Sequence, residues 1–139
     1  MRSLKKLKAN GRLALDTNAV IAYREGIPSI CTIMDNIDIL FLPVIVLGEL
    51  RYGAINSARP EQNEQVIKKL LENSVLMHVD EAVAGRYARV RSDLRKKGQP
   101  IPENDIWIAA ICLENETPLI SSDGHFENIN GLEVLKWKK

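Results

Sequence analysis

Short, continuous apolar runs alternate along this chain with longer stretches whose apolar residues recur every three or four positions. Leu13 to Leu15, Ile39 to Leu42, Val75 to Val79, Pro118 to Ser121 and Glu133 to Trp137 predict five short strands. The first, second and fourth lack the polar alternation of a half-exposed strand, which is the pattern of strands covered on both faces. Helical spacing predicts helices over Asn18 to Tyr23, Pro28 to Asn36, Val44 to Ser57, Glu61 to Asn73, Glu81 to Lys97 and Glu103 to Glu116. Val83, Tyr87, Val90 and Leu94 form one stripe of the fifth. The third is apolar almost all round and is expected to be largely buried. The punctuation agrees: Asp80 reads as an N-cap, Gly98 as a C-terminal stop, and Pro60 and Pro102 as helix starts. Strands alternating with helices predict an α/β fold with a parallel sheet covered on both faces.

Length and composition narrow this further. A chain of 139 residues is expected to form a single domain, 1–139, with 1–10 as a solvated basic segment rich in Lys and Arg. With 45% hydrophobic and 27% charged residues it is neither a disordered tail nor a multi-span membrane protein. The apolar stretch after the basic start is broken by Asp16, Thr17 and Asn18, so it is not a signal peptide, and no run has the length of a membrane span. Cys31 and Cys112 stand among apolar residues, which predicts buried free thiols and a cytoplasmic location. A net charge of +1 supplies no global attraction for nucleic acid, so any such binding needs a local patch.

Four carboxylates stand in unusual places. Asp16 closes the first strand and Asp123 follows the fourth by two residues, both at the carboxyl edge where open parallel sheets bind ligands. Glu49 interrupts the most aliphatic helix, and Asp105 shares a helix face with Ile108, Ala109 and Cys112. Each has a local reading as well: Asp16 as a cap, Asp105 as a first-turn acid, Asp123 as a turn residue. Four buried acids converging would repel one another or stay protonated, and a hard divalent cation with oxygen ligands is the common remedy. Such a cation suits phosphodiester hydrolysis.

Four blocks then resemble the PIN-domain nucleases, most closely the VapC toxins of toxin–antitoxin pairs. They are Leu15-Asp16-Thr17-Asn18, Gly48-Glu49-Leu50-Arg51-Tyr52-Gly53, Ile101 to Ala110 around Asn104-Asp105, and Ile120-Ser121-Ser122-Asp123-Gly124-His125-Phe126. The resemblance implies a three-layer α/β/α sandwich on a parallel sheet of about five strands. It implies an endoribonuclease dependent on Mg²⁺ or Mn²⁺, with Asp16, Glu49, Asp105 and Asp123 as catalytic and metal-binding acids. Asp16 and Asp105 are then the principal ligands, and Thr17, Asn18, Asn104 and Ser121 support them. It implies a VapB-type antitoxin lying over the pocket, and a homodimer. Two departures are the long segment before Asp16 and Pro43, where many relatives carry Ser.

The helix Glu81 to Lys97 carries Arg86, Arg89, Arg91, Arg95, Lys96 and Lys97 against Asp93 in its exposed part. Arg86 and Arg89 read either as a track for the RNA backbone or as a solvated helix face. With 5% aromatic residues, RNA is expected to be recognised by shape more than by stacking. His125, two residues after Asp123, reads either as a surface loop histidine or as a contact to substrate or to the groups around the acids, and Trp107 reads as a packing residue. Two other functions compete with the toxin: a PIN nuclease for RNA processing or DNA cleavage without an antitoxin, and a non-catalytic Mg²⁺-binding interaction domain.

Overall fold

The computed structural model describes residues 11–138. The reading of 1–10 as a solvated basic segment lies outside the described residues. In chain order the elements are β1 (Arg12–Leu15), α1 (Thr17–Arg24), α2 (Pro28–Asp35), β2 (Ile39–Pro43), α3 (Val44–Ile55), α4 (Pro60–Glu72), β3 (Val75–Met77), α5 (Glu81–Lys96), α6 (Glu103–Glu114), β4 (Leu119–Ile120), a 3-10 helix (Gly124–Asn128) and β5 (Val134–Leu135). The sheet is parallel throughout, in the order β3-β2-β1-β4-β5.

Alternation along β1 assigns its two faces. Leu13 and Leu15 join Ile120, Leu135 and the buried residues of α1 and α2 in one apolar cluster. Ala14 and Leu119 point the other way, into a larger cluster with α3, α5 and α6. The result is the expected three-layer α/β/α arrangement. Ala14, Ala109 and Ala110 are all fully buried in that larger cluster.

The chain leaves β1 towards β2 on one side and reaches β4 on the other, so a crevice opens beyond the carboxyl ends of β1 and β4. Leu15 pairs with Ile120 in the register, which sets Asp16 beside Ser121. At the amino edge, Gly11 has φ +65, and a Cβ there would collide with the Asp38 carboxylate. Only glycine fits this turn.

Several boundaries differ from the sequence reading for identifiable reasons. β3 stops at Met77 rather than Val79, because its sole neighbour β2 ends at Pro43, opposite Met77. β5 is confined to Val134–Leu135, because β4 offers just Leu119 and Ile120 to pair with. The segment Asp123 to Gly131, between the fourth and fifth expected strands, contains the 3-10 helix with Phe126 1% exposed. α3 is not buried along its length: Tyr52 and Ile55 are 72% and 73% exposed. Cys112 is buried as expected, whereas Cys31 is half-buried. Asp80 caps α5 by accepting from Val83 N at 2.9 Å. Gly98 at φ +68 closes that helix, its N–H reaching Arg95 O at 3.1 Å.

Candidate active site

Asp16 is the first residue beyond β1, and its position follows from strand termination. Its extended backbone caps α1: Thr17 N donates to Oδ1 at 2.9 Å. The other oxygen accepts from Ser121 Oγ at 2.6 Å and from Asn18 Nδ2 at 3.3 Å. One oxygen thus caps the helix, as expected, and the other is held by side chains from the end of β4 and from α1 at the carboxyl end of the sheet. Asn18 also ties the β4 end to the β1 end, because Ser122 N donates to its Oδ1 at 3.2 Å.

Glu49, half-buried on α3, accepts from Thr17 Oγ1 at 2.7 Å and from Asn104 Nδ2 at 3.5 Å. Asp105 stands in the first turn of α6 with its side chain 13% exposed. Asp123 caps the 3-10 helix, its Oδ1 accepting from His125 N at 2.9 Å. That turn delivers the imidazole: His125 Nδ1 lies 2.9 Å from Asp105 Oδ2 and 3.0 Å from Asp123 Oδ1. The four acids and the four supporting residues Thr17, Asn18, Asn104 and Ser121 thus share one neighbourhood. His125 is no remote surface residue but part of it. The spacing Asp-x-His at a helix start was the signal available in the sequence, since an Asp cap turns the second residue after it towards the cap.

Among the described residues no Lys or Arg pairs with any of the four acids. Burial raises Asp16 above its ordinary value, and repulsion from Asp105 and Glu49 adds to this against the opposing hydrogen bonds of Ser121 and Thr17. Asp105 is raised by burial first, then by Asp123 and Glu49, while His125 opposes. His125 is itself raised, chiefly by its hydrogen bond to Asp105. A cluster of carboxylate oxygens with no Lys or Arg partner among the described residues fits a hard divalent cation, and donor atoms of Asp105, Asp123 and His125 lie within 4.8 Å of one another.

These shifts predict a pH dependence. All three groups bind a proton more readily in the folded state, so they favour folding below their unfolded values of about 4 for the acids and about 6.5 for the histidine. That contribution is lost as pH rises through the raised folded values. The melting temperature of the metal-free protein in chelator is expected to fall between pH 5 and pH 8, with a shallower fall in Asp105→Asn. At pH 8 a divalent cation at a hundred times its dissociation constant should restore about 2.7 kcal/mol. Calorimetric melts across this range check both statements, and a melting temperature that rises with pH would contradict them.

The basic residues fall in two groups. α5 and α6 run antiparallel, with Arg91 near Glu103 at 3.6 Å and Arg86 paired with Glu114 at 3.0 Å. Arg86 is thereby held about 14 Å along the α6 axis from Asp105. Arg89 is exposed on the outer face of α5. Neither joins the acids, whereas Arg91 stands at the active end. Trp107 packs as expected, stacked on Tyr87 with ring centroids 3.8 Å apart. Tyr87 Oη also donates to Glu103 Oε1 at 2.6 Å, which steadies the first turn of α6.

The profile of the PIN domain matches residues 13–132. Ribonuclease VapC1 of Haemophilus influenzae is 31% identical over 131 residues, covering 90% of this chain and 97% of that protein. Ribonuclease VapC5 of Mycobacterium tuberculosis is 29% identical over 133 residues, covering 88% and 93%. Among solved structures, VapBC-1 from nontypeable Haemophilus influenzae superposes with a TM-score of 0.84 at 29% identity, covering 92% of this chain and 99% of that one. Near-complete coverage in both directions, with the same fold, means that this chain belongs to the PIN-domain family and, within it, to the VapC branch.

Proposed function

We propose that this chain is a metal-dependent endoribonuclease and the toxin of a VapBC-type toxin–antitoxin pair. One observation carries the reading: four carboxylates from separate elements gather at the β1–β4 crevice, and among the described residues no Lys or Arg pairs with them. Asp16 and Asp105 are the principal ligands of a Mg²⁺ or Mn²⁺ ion, and Glu49 and Asp123 complete the pocket directly or through water. The bound ion lowers the pKa of a coordinated water and screens charge developing on the phosphate. Ser121, Asn18 and Thr17 hold the carboxylates of Asp16 and Glu49 in place through hydrogen bonds, so less rearrangement is needed when substrate arrives. Arg86 and Arg89 are kept as contacts to more distant RNA phosphates, with Arg86 shared with Glu114.

Features outside the acids support the partner side of the reading. A groove of about 240 Å³ between α1, α3 and α4 is lined by Val20, Ile21, Leu50 and Val66 and borders Glu49. Ile21 is 48% exposed. A VapB-type antitoxin segment laid in that groove would bury these residues and reach the acids. The exposed Tyr52 and Ile55 on α3 offer apolar surface to a second copy. No helix of the described residues is long and apolar enough to cross a membrane, and the cytoplasm is the proposed location.

The test uses the purified chain with a structured RNA. Mg²⁺ or Mn²⁺ should support endonucleolytic cuts, EDTA should stop them, and addition of the antitoxin should stop them in the presence of metal. Cleavage that persists in EDTA, or none across a range of both metals, overturns the reading.

A further inference from the structure

One corner of the acid pocket contains a group that a set of carboxylates does not account for. His125 Nδ1 faces Asp105 Oδ2 at 2.9 Å and Asp123 Oδ1 at 3.0 Å. None of the four acidic positions falls on it. We infer that His125 supplies a nitrogen ligand on the Asp105–Asp123 side of the pocket and makes the site select Mn²⁺ over Mg²⁺. This rests on the reading of the pocket as a metal site.

Three observations support it. First, neighbouring ligands of a six-coordinate ion with bonds of about 2.1 Å stand about 3.0 Å apart. Both distances from Nδ1, which are hydrogen-bond contacts in the metal-free protein, are compatible with such an edge without a large movement of the ring. Second, the ring is delivered by structure rather than by chance rotation. Asp123 Oδ1 accepts from the His125 backbone N–H, and the adjacent Phe126 is buried in the core. Third, exposure rises outward from Asp105 at 13% through Asp123 at 31% to His125 at 47%. An ion there is reached from solvent and keeps some of its waters.

The donor set then decides the metal. Mg²⁺ demands oxygen ligands in strict octahedral geometry and gives up water reluctantly. Imidazole suits transition-metal ions, while carboxylates and water suit Mg²⁺ and Mn²⁺ alike. Two carboxylates with one imidazole therefore favour the ion that accepts both donor types. In the metal-free protein the same atoms are spaced as hydrogen bonds, so the measurement has to detect the nitrogen on the metal.

The chain has two histidines, and His78 follows β3 at the outer edge of the sheet. Full-length protein without a histidine tag, loaded with one equivalent of Mn²⁺ and no RNA, is measured by electron spin echo envelope modulation. Imidazole nitrogen modulation is expected in the wild type and in His78→Ala, and is expected to vanish in His125→Ala. By calorimetric titration, Mn²⁺ affinity should fall roughly tenfold or more in His125→Ala, while Mg²⁺ affinity changes by less than about threefold. His125→Asp, which restores an oxygen donor, should bind both ions with a smaller preference for Mn²⁺. Mn²⁺ bound without nitrogen modulation in the wild type, or with modulation that persists in His125→Ala, overturns the inference and leaves the acid pocket standing. Failure of the wild type to bind either ion overturns both.

Discussion

Asp16→Asn is expected to lower metal-dependent RNA cleavage by about a thousandfold or more while raising the melting temperature of the metal-free protein. The loss follows from the loss of one principal metal ligand, because the charge stabilisation supplied by a bound cation is worth several kcal/mol and about 4 kcal/mol corresponds to a thousandfold. The gain in stability follows from the same carboxylate. Asp16 is 5% exposed, and burial is the main cause of its raised pKa, with repulsion from Asp105 and Glu49 added. The amide has the same shape: with its oxygen on Thr17 N the cap survives, its NH2 donates to Ser121 Oγ at the loss of the contact from Asn18 Nδ2, and the buried charge goes. Cleavage rates with Mn²⁺ and thermal melts in EDTA read the two effects separately. Lost cleavage with a lowered melting temperature would mean that Asp16 is chiefly a structural cap. Unchanged cleavage would remove Asp16 from the reaction. The opposite signs are what a functional site held at a cost in stability predicts.

The acids are legible in the sequence as a set rather than singly, since Asp16, Asp105 and Asp123 also read as a cap, a first-turn acid and a turn residue. Asp16 and Asp123 stand where strands end, and their neighbours are set by a parallel register that length and pattern already implied. Glu49 conflicts with an aliphatic helix, and Asp105 with the buried face of another. His125 breaks no local rule, since a histidine in a turn is ordinary. Its role depends on where α6 places Asp105, twenty residues earlier in the chain. Arg86 shows the same boundary. Its helical position was clear, but its pairing with Glu114 depends on α5 and α6 being antiparallel. The exposed end of α3 marks a third. An apolar periodicity records that a face is covered without recording whether the cover is the chain's own core or a partner. Strand lengths were overestimated at β3 and β5 for a related reason: an edge strand ends where its single neighbour ends, whatever its own residues prefer.

Phe126→Ala is expected to cost about 3–5 kcal/mol of folding stability and to weaken divalent-metal binding. The ring is 1% exposed and belongs to the larger core cluster, to which α6 contributes six buried residues. Truncation therefore leaves a cavity in the part of the core that supports Asp105. The cost is a large share of the roughly 5–15 kcal/mol that separates folded from unfolded domains. The functional consequence follows from sequence adjacency. Phe126 sits one residue after His125 and three after Asp123, so its burial fixes the short helix that presents both side chains. Downstream, Lys97 Nζ donates to Asn128 O and Asn130 Oδ1, each at 3.1 Å, which pins the far end of the same segment. With the ring gone, the segment stays tethered at Asn128 and Asn130 but loses its anchor beside the acids. Urea denaturation should show a lower midpoint with little change in slope. Phe126→Leu, which keeps most of the apolar volume, should fall between the two. A cost below about 1 kcal/mol, or unaltered metal affinity in the folded variant, would show that backbone hydrogen bonds alone hold Asp123 in position.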